Sequence, residues 1–158
     1  MKKIVLTGAA GRLGSYLREP LLRLAQELVS SDIIESIGTL HPNETYVRAD
    51  LSDLSAMIDL LKGADMVVHF GAIGDEAPFD AILQANIVGA YNIWEAAHQN
   101  GVKRVVYASS IHAVGMHKKT DFIGTDVPHR PDTYYGLAKC FAEDLASLYW
   151  DKRGLESV

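Results

Sequence analysis

Apolar positions along the chain alternate between two rhythms. The opening run, "KKIVLTG", reads as a buried strand that ends in a turn. From Arg12 to about Ala25, the residues Leu13, Tyr16, Leu17, Leu21 and Leu24 recur at helical spacing, and Pro20 predicts a kink or a stop near Glu19. "ELVSSD" and, after the turn-forming "HPNE", "ETYVRADL" read as the second and third strands. "SDLSAMIDLLKGAD" reads as a helix running from a Ser or Asp cap to Gly63. "MVVHFGA" is unbroken in its apolar character, the pattern of a strand buried on both faces of a parallel sheet. Residues 79–99 predict one long helix stopped by Asn100-Gly101. "KRVVYASS" is the fifth strand, and "RPDTYYGLAKCFAEDLASLYWDKRG" is a helix opened by Pro131 and closed by Gly154. "LESV" reads as the beginning of a sixth strand.

Strands that alternate with helices predict parallel β-α units. The expected architecture is α/β, a Rossmann-like doubly wound parallel sheet of strand order 3-2-1-4-5. At 158 residues the chain has room for one domain, expected to span 1–158. A net charge of −5 gives no footprint for nucleic acid or an anionic membrane. No apolar run reaches the length of a membrane span. "MKK" is followed by glycines too soon for a secretory leader, and the lone Cys140 fits a reducing compartment, so a cytoplasmic location is expected.

The glycines behind the first strand carry the first candidate chemistry. In "LTGAAGRLG", Gly8, Gly11 and Gly14 fall at three-residue spacing where a helix begins, although glycine weakens helices. A sharp turn, close approach of backbone N–H groups to a pyrophosphate, and tight helix–sheet packing each exclude a Cβ. The anion would sit at the positive end of the helix dipole. Asp32 lies eighteen residues past Gly14 (32 − 14 = 18). A carboxylate there accepts both ribose hydroxyls and repels a 2′-phosphate, which favours NAD as cofactor. Glu35 is a rival for that role, and Arg12 in the loop is a cation that would attract the phosphate. Asp50 after the third strand is a candidate for the adenine amino group, or else a helix cap in competition with Ser52 and Asp53. "HFGAIG" ends the fourth strand with two glycines that let backbone lie against a nicotinamide. His69 reads as a buried, hydrogen-bonded histidine, and the six histidines show no metal-ligand spacing, so no metal is expected.

The C-terminal helix holds two adjacent tyrosines. Tyr135 shares a helix face with Lys139, four residues on, while Tyr134 pairs with Ala138. A phenol ordinarily titrates near pH 10, and a neighbouring ammonium favours the phenolate. Tyr135 then serves as a base for a substrate hydroxyl whose carbon surrenders hydride. "YASSIHAVG" places Ser109 and Ser110 at a strand's C-terminal edge, where ligands of open parallel sheets bind.

Taken together, "TGAAGRLG", "ADL", "HFGA", "NIVGAYN", "YASS" and "YGLAK" resemble the extended short-chain dehydrogenase/reductase family, which also holds nucleotide-sugar epimerases and dehydratases. The likeness runs from Lys3 to the end of the chain. Within the family, "PFDAILQANIVGAYNIWEAA", "DVPHRPDTYYGLAKCFAEDLA" and the Ser-Ser-x-His element are most similar to the uronate dehydrogenases. The resemblance implies a catalytic set of Ser110, Tyr135 and Lys139. It implies that Gly8, Gly11, Arg12, Leu13, Gly14, Asp32, Asp50, Leu51, Phe70, Gly71, Ala72, Ile73 and Asn86 join Tyr135 and Lys139 around NAD. Gly74, Ser110, Ile111 and His112 would face the sugar. Two positions depart from the uronate pattern: Ile111 stands for an asparagine and Gly74 for a serine, which removes two hydrogen-bonding groups.

The implied activity is NAD-dependent oxidation of a sugar hydroxyl, above all the anomeric hydroxyl of a hexuronate to the aldarolactone. Alternatives are a nucleotide-sugar epimerase or dehydratase and, from another class, a non-catalytic dinucleotide-binding module. The family continues through further strands and a substrate region beyond this stretch. The fifth strand is therefore expected to present an unpaired apolar edge, with homo-oligomerisation and negligible turnover by the chain alone.

Overall fold

The computed structural model describes all 158 residues, Met1–Val158. Six parallel strands form one sheet in the order β3-β2-β1-β4-β5-β6. They are β1 (Lys3–Thr7), β2 (Glu27–Asp32), β3 (Glu44–Arg48), β4 (Met66–His69), β5 (Arg104–Tyr107) and β6 (Glu156–Ser157). Five helices connect and cover them: α1 (Arg12–Leu22), α2 (Leu54–Leu60), α3 (Phe79–Ile82), α4 (Gly89–Gln99) and α5 (Tyr134–Arg153).

The period-two alternation of the strands divides the core between two faces. Val5, Val29, Val67 and Val105 join Met57 of α2, Ile93 and Trp94 of α4, and Leu145 of α5. Ile4, Leu6, Leu28, Met66 and Val68 point the other way, against Leu21 of α1. Helices therefore lie on both faces, as the strand–helix alternation predicts. In register, Thr7, Ser31 and His69 fall at neighbouring strand ends, and the connections after them open along one rim of the sheet. Ligands of open parallel sheets bind on that rim.

Four expectations are corrected. Of the kink or stop expected near Glu19, the stop is ruled out, because helix α1 continues through Pro20 to Leu22. Proline removes only its own N–H; the Tyr16 carbonyl left without it lies at an exposed residue, and buried Leu21 anchors the extra turn. The helix over 79–99 is not uniform: α3 and α4 are joined by a π-helical turn, Leu83–Val88. Helix α5 starts at Tyr134 rather than at Pro131, because the Thr133 hydroxyl caps it by accepting the Gly136 N–H at 2.8 Å. Finally, β5 is not left unpaired. Arg104 and Val105 pair with Glu156 and Ser157, Val158 N–H donates to Val105 O at 3.0 Å, and Tyr107 N–H donates to Val158 O at 2.8 Å.

A dinucleotide cleft and a candidate catalytic set

The glycine loop is shaped by contacts that no side chain survives. Gly8 has φ of +72°, and a Cβ on it would lie 2.6 Å from Gly71 N. A Cβ on Gly14 would lie 2.0 Å from Gly8 O, so the first turn of α1 packs directly on the loop. Gly11 is the N-cap and brings no side chain to the helix end. Gly11, Arg12 and Leu13 are exposed there, so the first N–H groups of α1 face outward.

Beside this loop is a cleft of about 270 Å³ formed by the C-terminal ends of β1 to β4. Gly8, Asp32, Asp50, Leu51, Gly71, Ala72 and Ile73, all candidates for cofactor contact, line it with Thr7, Ser31, Ile33, Ala49 and Ala85. Asp32 ties the glycine loop to the end of β2: Oδ2 accepts the Ala10 N–H at 2.9 Å and Oδ1 the Ile33 N–H at 2.8 Å. Each oxygen keeps a further lone pair for a hydroxyl. Glu35 pairs instead with exposed Arg48, away from the cleft. Asp50 accepts from Ser52 N–H and Oγ, both at 2.9 Å, while Asp53 caps α2, so the competition for the cap goes to Asp53. Phe70 is not brought to the cleft wall; its side chain packs with the α1-side core and only its backbone meets Gly8.

Two asparagines of the 79–99 segment brace this cleft from behind. Buried Asn86, in the π-helical turn, accepts the Ile73 N–H at 2.8 Å and donates to Ile73 O at 3.0 Å, as a paired strand would. Asn92 donates to Leu51 O at 2.8 Å. The π-helical turn widens the helix where Asn86 must reach the loop, a frequent use of such turns. Asn92 was not singled out in sequence, although a second polar residue inside "NIVGAYN" was visible as a buried-polar candidate.

The second half of the site lies where β5 ends and α5 begins. Lys139 Nζ donates to Ala108 O at 2.7 Å and sits 5.2 Å from the centre of the Tyr135 ring. Burial lowers its pKa to about 8. Tyr135 meets His112 in a T-shaped contact, ring centres 5.7 Å apart, whereas Tyr134 leans on Phe79 at 5.3 Å with the rings tilted 59° apart and is half exposed. His112 is oriented by Asp132, Nδ1 to Oδ1 at 2.8 Å, and that contact holds the Asp132 carboxyl below its ordinary range. Helix α5 presses on this turn through Gly136, where a Cβ would lie 2.2 Å from His112 O.

The two serines are used differently. Ser109 Oγ donates to Glu143 of α5, which also receives His129 Nε2 at 2.8 Å. Ser110 Oγ accepts the His112 N–H at 3.2 Å and keeps its own O–H free to donate. Ile111 is 81% exposed beside it, and a Cβ added at Gly74 would meet nothing within 4 Å, so both of these candidate positions are open. Glu76, missed in sequence, accepts the Tyr135 backbone N–H at 3.0 Å and joins the loop after β4 to the start of α5. Among the titratable side chains, no group of three or more His, Cys, Asp or Glu is arranged to hold a metal ion. His69 is a buried histidine bonded to Thr7 Oγ1 at 2.7 Å, as its strand context predicts.

Comparison with known proteins extends this picture. The NAD dependent epimerase/dehydratase family matches residues 4–158. Uronate dehydrogenase from Pseudomonas putida is 44% identical over 156 residues, which cover 99% of this chain and 58% of that one. Uronate dehydrogenase from Agrobacterium fabrum is 46% identical over 158 residues, covering 100% of this chain and 59% of its own. The crystal structure of a uronate dehydrogenase from Agrobacterium tumefaciens, a Tyr-to-Ala mutant complexed with NAD, superposes with a TM-score of 0.96. It is 45% identical to this chain, which it covers to 99%, with 59% of its own chain matched. The chain thus spans a little under three fifths of the length of these relatives. A UDP-galactose 4-epimerase structure is more distant, at 32% identity and a TM-score of 0.83. The glycine loop, the acid at the end of β2 and the Ser–Tyr–Lys residues between the end of β5 and α5 lie along one rim of the sheet, and with the family match running through residues 4–158 the chain belongs to the NAD dependent epimerase/dehydratase family.

Proposed function

We propose that the chain carries the NAD site and the catalytic set of a dehydrogenase that oxidises the anomeric hydroxyl of a hexuronate to the aldarolactone. The observation that carries this reading is the grouping of Tyr135, Lys139 and Ser110 on the rim that also holds the Asp32 cleft. The uronate dehydrogenase relatives supply the substrate class. Gly8 and Gly14 leave the space a pyrophosphate needs, and the outward N–H groups of α1 suit its charge. Asp32 offers acceptors for the adenosine ribose, and Ile33 and Ile34 after it bring no cation for a 2′-phosphate, which supports NAD over NADP.

NAD, when bound, accepts the hydride from the anomeric carbon. Tyr135 takes the hydroxyl proton, and the positive charge of Lys139 beside its ring stabilises the phenolate that this requires. Ser110 donates its free O–H to the reacting oxygen. His112, held by Asp132, sets the position of the Tyr135 ring. Gly74 and Ile111 border the sugar without offering hydrogen bonds, so a substrate that fits must satisfy its hydroxyls elsewhere. The single Cys140, buried and bonded to Ala113 O at 3.5 Å, suits a reducing, cytoplasmic setting. A homo-oligomer belongs to the same reading.

The test mixes the protein with NAD and, in turn, glucuronate, galacturonate and UDP-galactose, and follows NADH absorbance. Assayed in a form extended to the length of its relatives, net NADH from a free uronate is expected, lost in Tyr135→Phe while NAD affinity stays within about twofold. A crippling Tyr134→Phe with a silent Tyr135→Phe would overturn the assignment. Interconversion of the nucleotide sugar without net NADH would favour the epimerase reading.

A further inference from the structure

Lys139 poses a problem that the reaction alone does not solve. It is only 3% exposed, and within the chain its ammonium donates to Ala108 O at 2.7 Å. It meets no carboxylate: burial is the sole force moving its pKa. A charge so placed needs another source of compensation.

The compensation in view is aromatic. Lys139 Nζ lies 4.6 Å from the centre of the Tyr107 ring, nearer than to Tyr135 and within reach of the negative ring face. Tyr107 is fixed from behind. The His69 ring stacks on it at 5.6 Å with planes 28° apart, and Trp94 meets it edge-on at 5.4 Å. His69 is in turn held from β1. Thr7 Oγ1 accepts the Gly71 N–H at 3.3 Å and shares a hydrogen bond with His69 Nδ1, 2.7 Å away, which fixes the ring against β1. Burial first, and Lys139 second, push His69 down to about 3, so the ring is neutral at any ordinary pH. Neutrality matters, because a second cation stacked behind Tyr107 would oppose the ammonium in front of it.

We propose that Tyr107, backed by neutral His69, is a positioning residue for Lys139, holding its ammonium charged and aimed at Tyr135 through the face of the ring. This rests on the reading of Lys139 as part of the catalytic set. The other titratable groups facing the ammonium are Tyr135 on its own helix, His69 on β4, and Glu143 one turn along α5, whose carboxylate is taken by Ser109 and His129. None supplies a counter-charge, which leaves the ring of Tyr107 with that task.

The experiment titrates Lys139 by NMR in protein labelled with ¹³C-lysine, its resonance assigned by its loss in Lys139→Met. Tyr107→Phe keeps the ring face and is expected to leave the midpoint within about 0.3 pH unit of wild type. Tyr107→Leu is expected to lower it by about one pH unit, roughly a tenfold fall in the charged-to-neutral ratio. Phenylalanines carrying increasing numbers of fluorines at position 107 keep the volume and weaken the ring face, so the midpoint falls stepwise with fluorine count. That series decides the matter even where Tyr107→Leu does not fold. A midpoint that is flat across the fluorinated series overturns the proposal. NAD affinity reports separately: a Lys139→Met chain that binds NAD as wild type does refutes the cofactor role of Lys139, whatever the fluorine series shows.

Discussion

Lys139→Met should make the protein more stable and less able to bind its cofactor. The folded chain holds Lys139 with a pKa of about 8, against an ordinary 10.5, because the side chain is buried without an anion. A depressed lysine is favoured neutral in the fold, so the unfolded chain binds more protons between these values and stability rises with pH across that window. At pH 7 the mismatch of about 2.5 pH units costs the fold roughly 3 kcal/mol. Methionine fills a similar volume without charge. It leaves the Ala108 carbonyl without its donor, which takes back about 1–2 kcal/mol. The net expectation is a gain of about 1–2 kcal/mol at pH 7, or a few degrees in Tm for a chain of this size. Between pH 7 and 9.5, wild type recovers about 2 kcal/mol of the penalty and the variant does not, so the advantage of methionine should vanish. Urea unfolding at both pH values, followed by tryptophan fluorescence, reads the difference, and an NAD titration reads the functional loss. A variant less stable than wild type at pH 7, or a stability gap that ignores pH, would refute the reasoning.

Two further outcomes follow from the site. Asp32→Ala should weaken NAD and narrow its preference over NADP, because the carboxylate both accepts from ribose and repels phosphate; titration with each cofactor decides it, and an unchanged preference would move the determinant to Arg12. His69→Asn should flatten the acid side of the stability curve. With a folded pKa of about 3 against 6.5 unfolded, wild type keeps full stability above pH 6.5 and loses about 2 kcal/mol by pH 5, whereas asparagine has nothing to titrate. Parallel urea curves for the two proteins at pH 7 and pH 5 would contradict this.

The sheet was legible because its signals are local. Continuous apolar runs marked β1 and β4, and glycines marked the chain turns that follow. Errors arose where one local rule met a competing contact. Pro20 reads as a stop, but a helix anchored by Leu21 tolerates the lost hydrogen bond when the freed carbonyl reaches water. Pro131 reads as a helix start, but Thr133 offers the hydroxyl that the first turn needs. The π-helical turn has no sequence rhythm of its own: one residue beyond the α-helical period is invisible beside the scatter of apolar positions in "AILQANIVGAYN".

The site was legible in part for the same reason. Tyr135 and Lys139 share a helix face, so their spacing alone places them together. Partners supplied by distant elements carry no such mark. Lys139 finds its acceptor at Ala108, 31 residues earlier, and Glu76 reaches Tyr135 across 59 residues. Both contacts depend on parallel crossovers that bring the ends of β4 and β5 beside the start of α5. The Tyr107 face follows from register: His69 and Tyr107 are direct partners in the β4–β5 pairing, so their rings emerge on the same side of the sheet. A strand pattern shows that such residues alternate with apolar neighbours. Only the pairing register shows that one ring stands against the other, and only the packing of α5 brings a lysine over the Tyr107 ring.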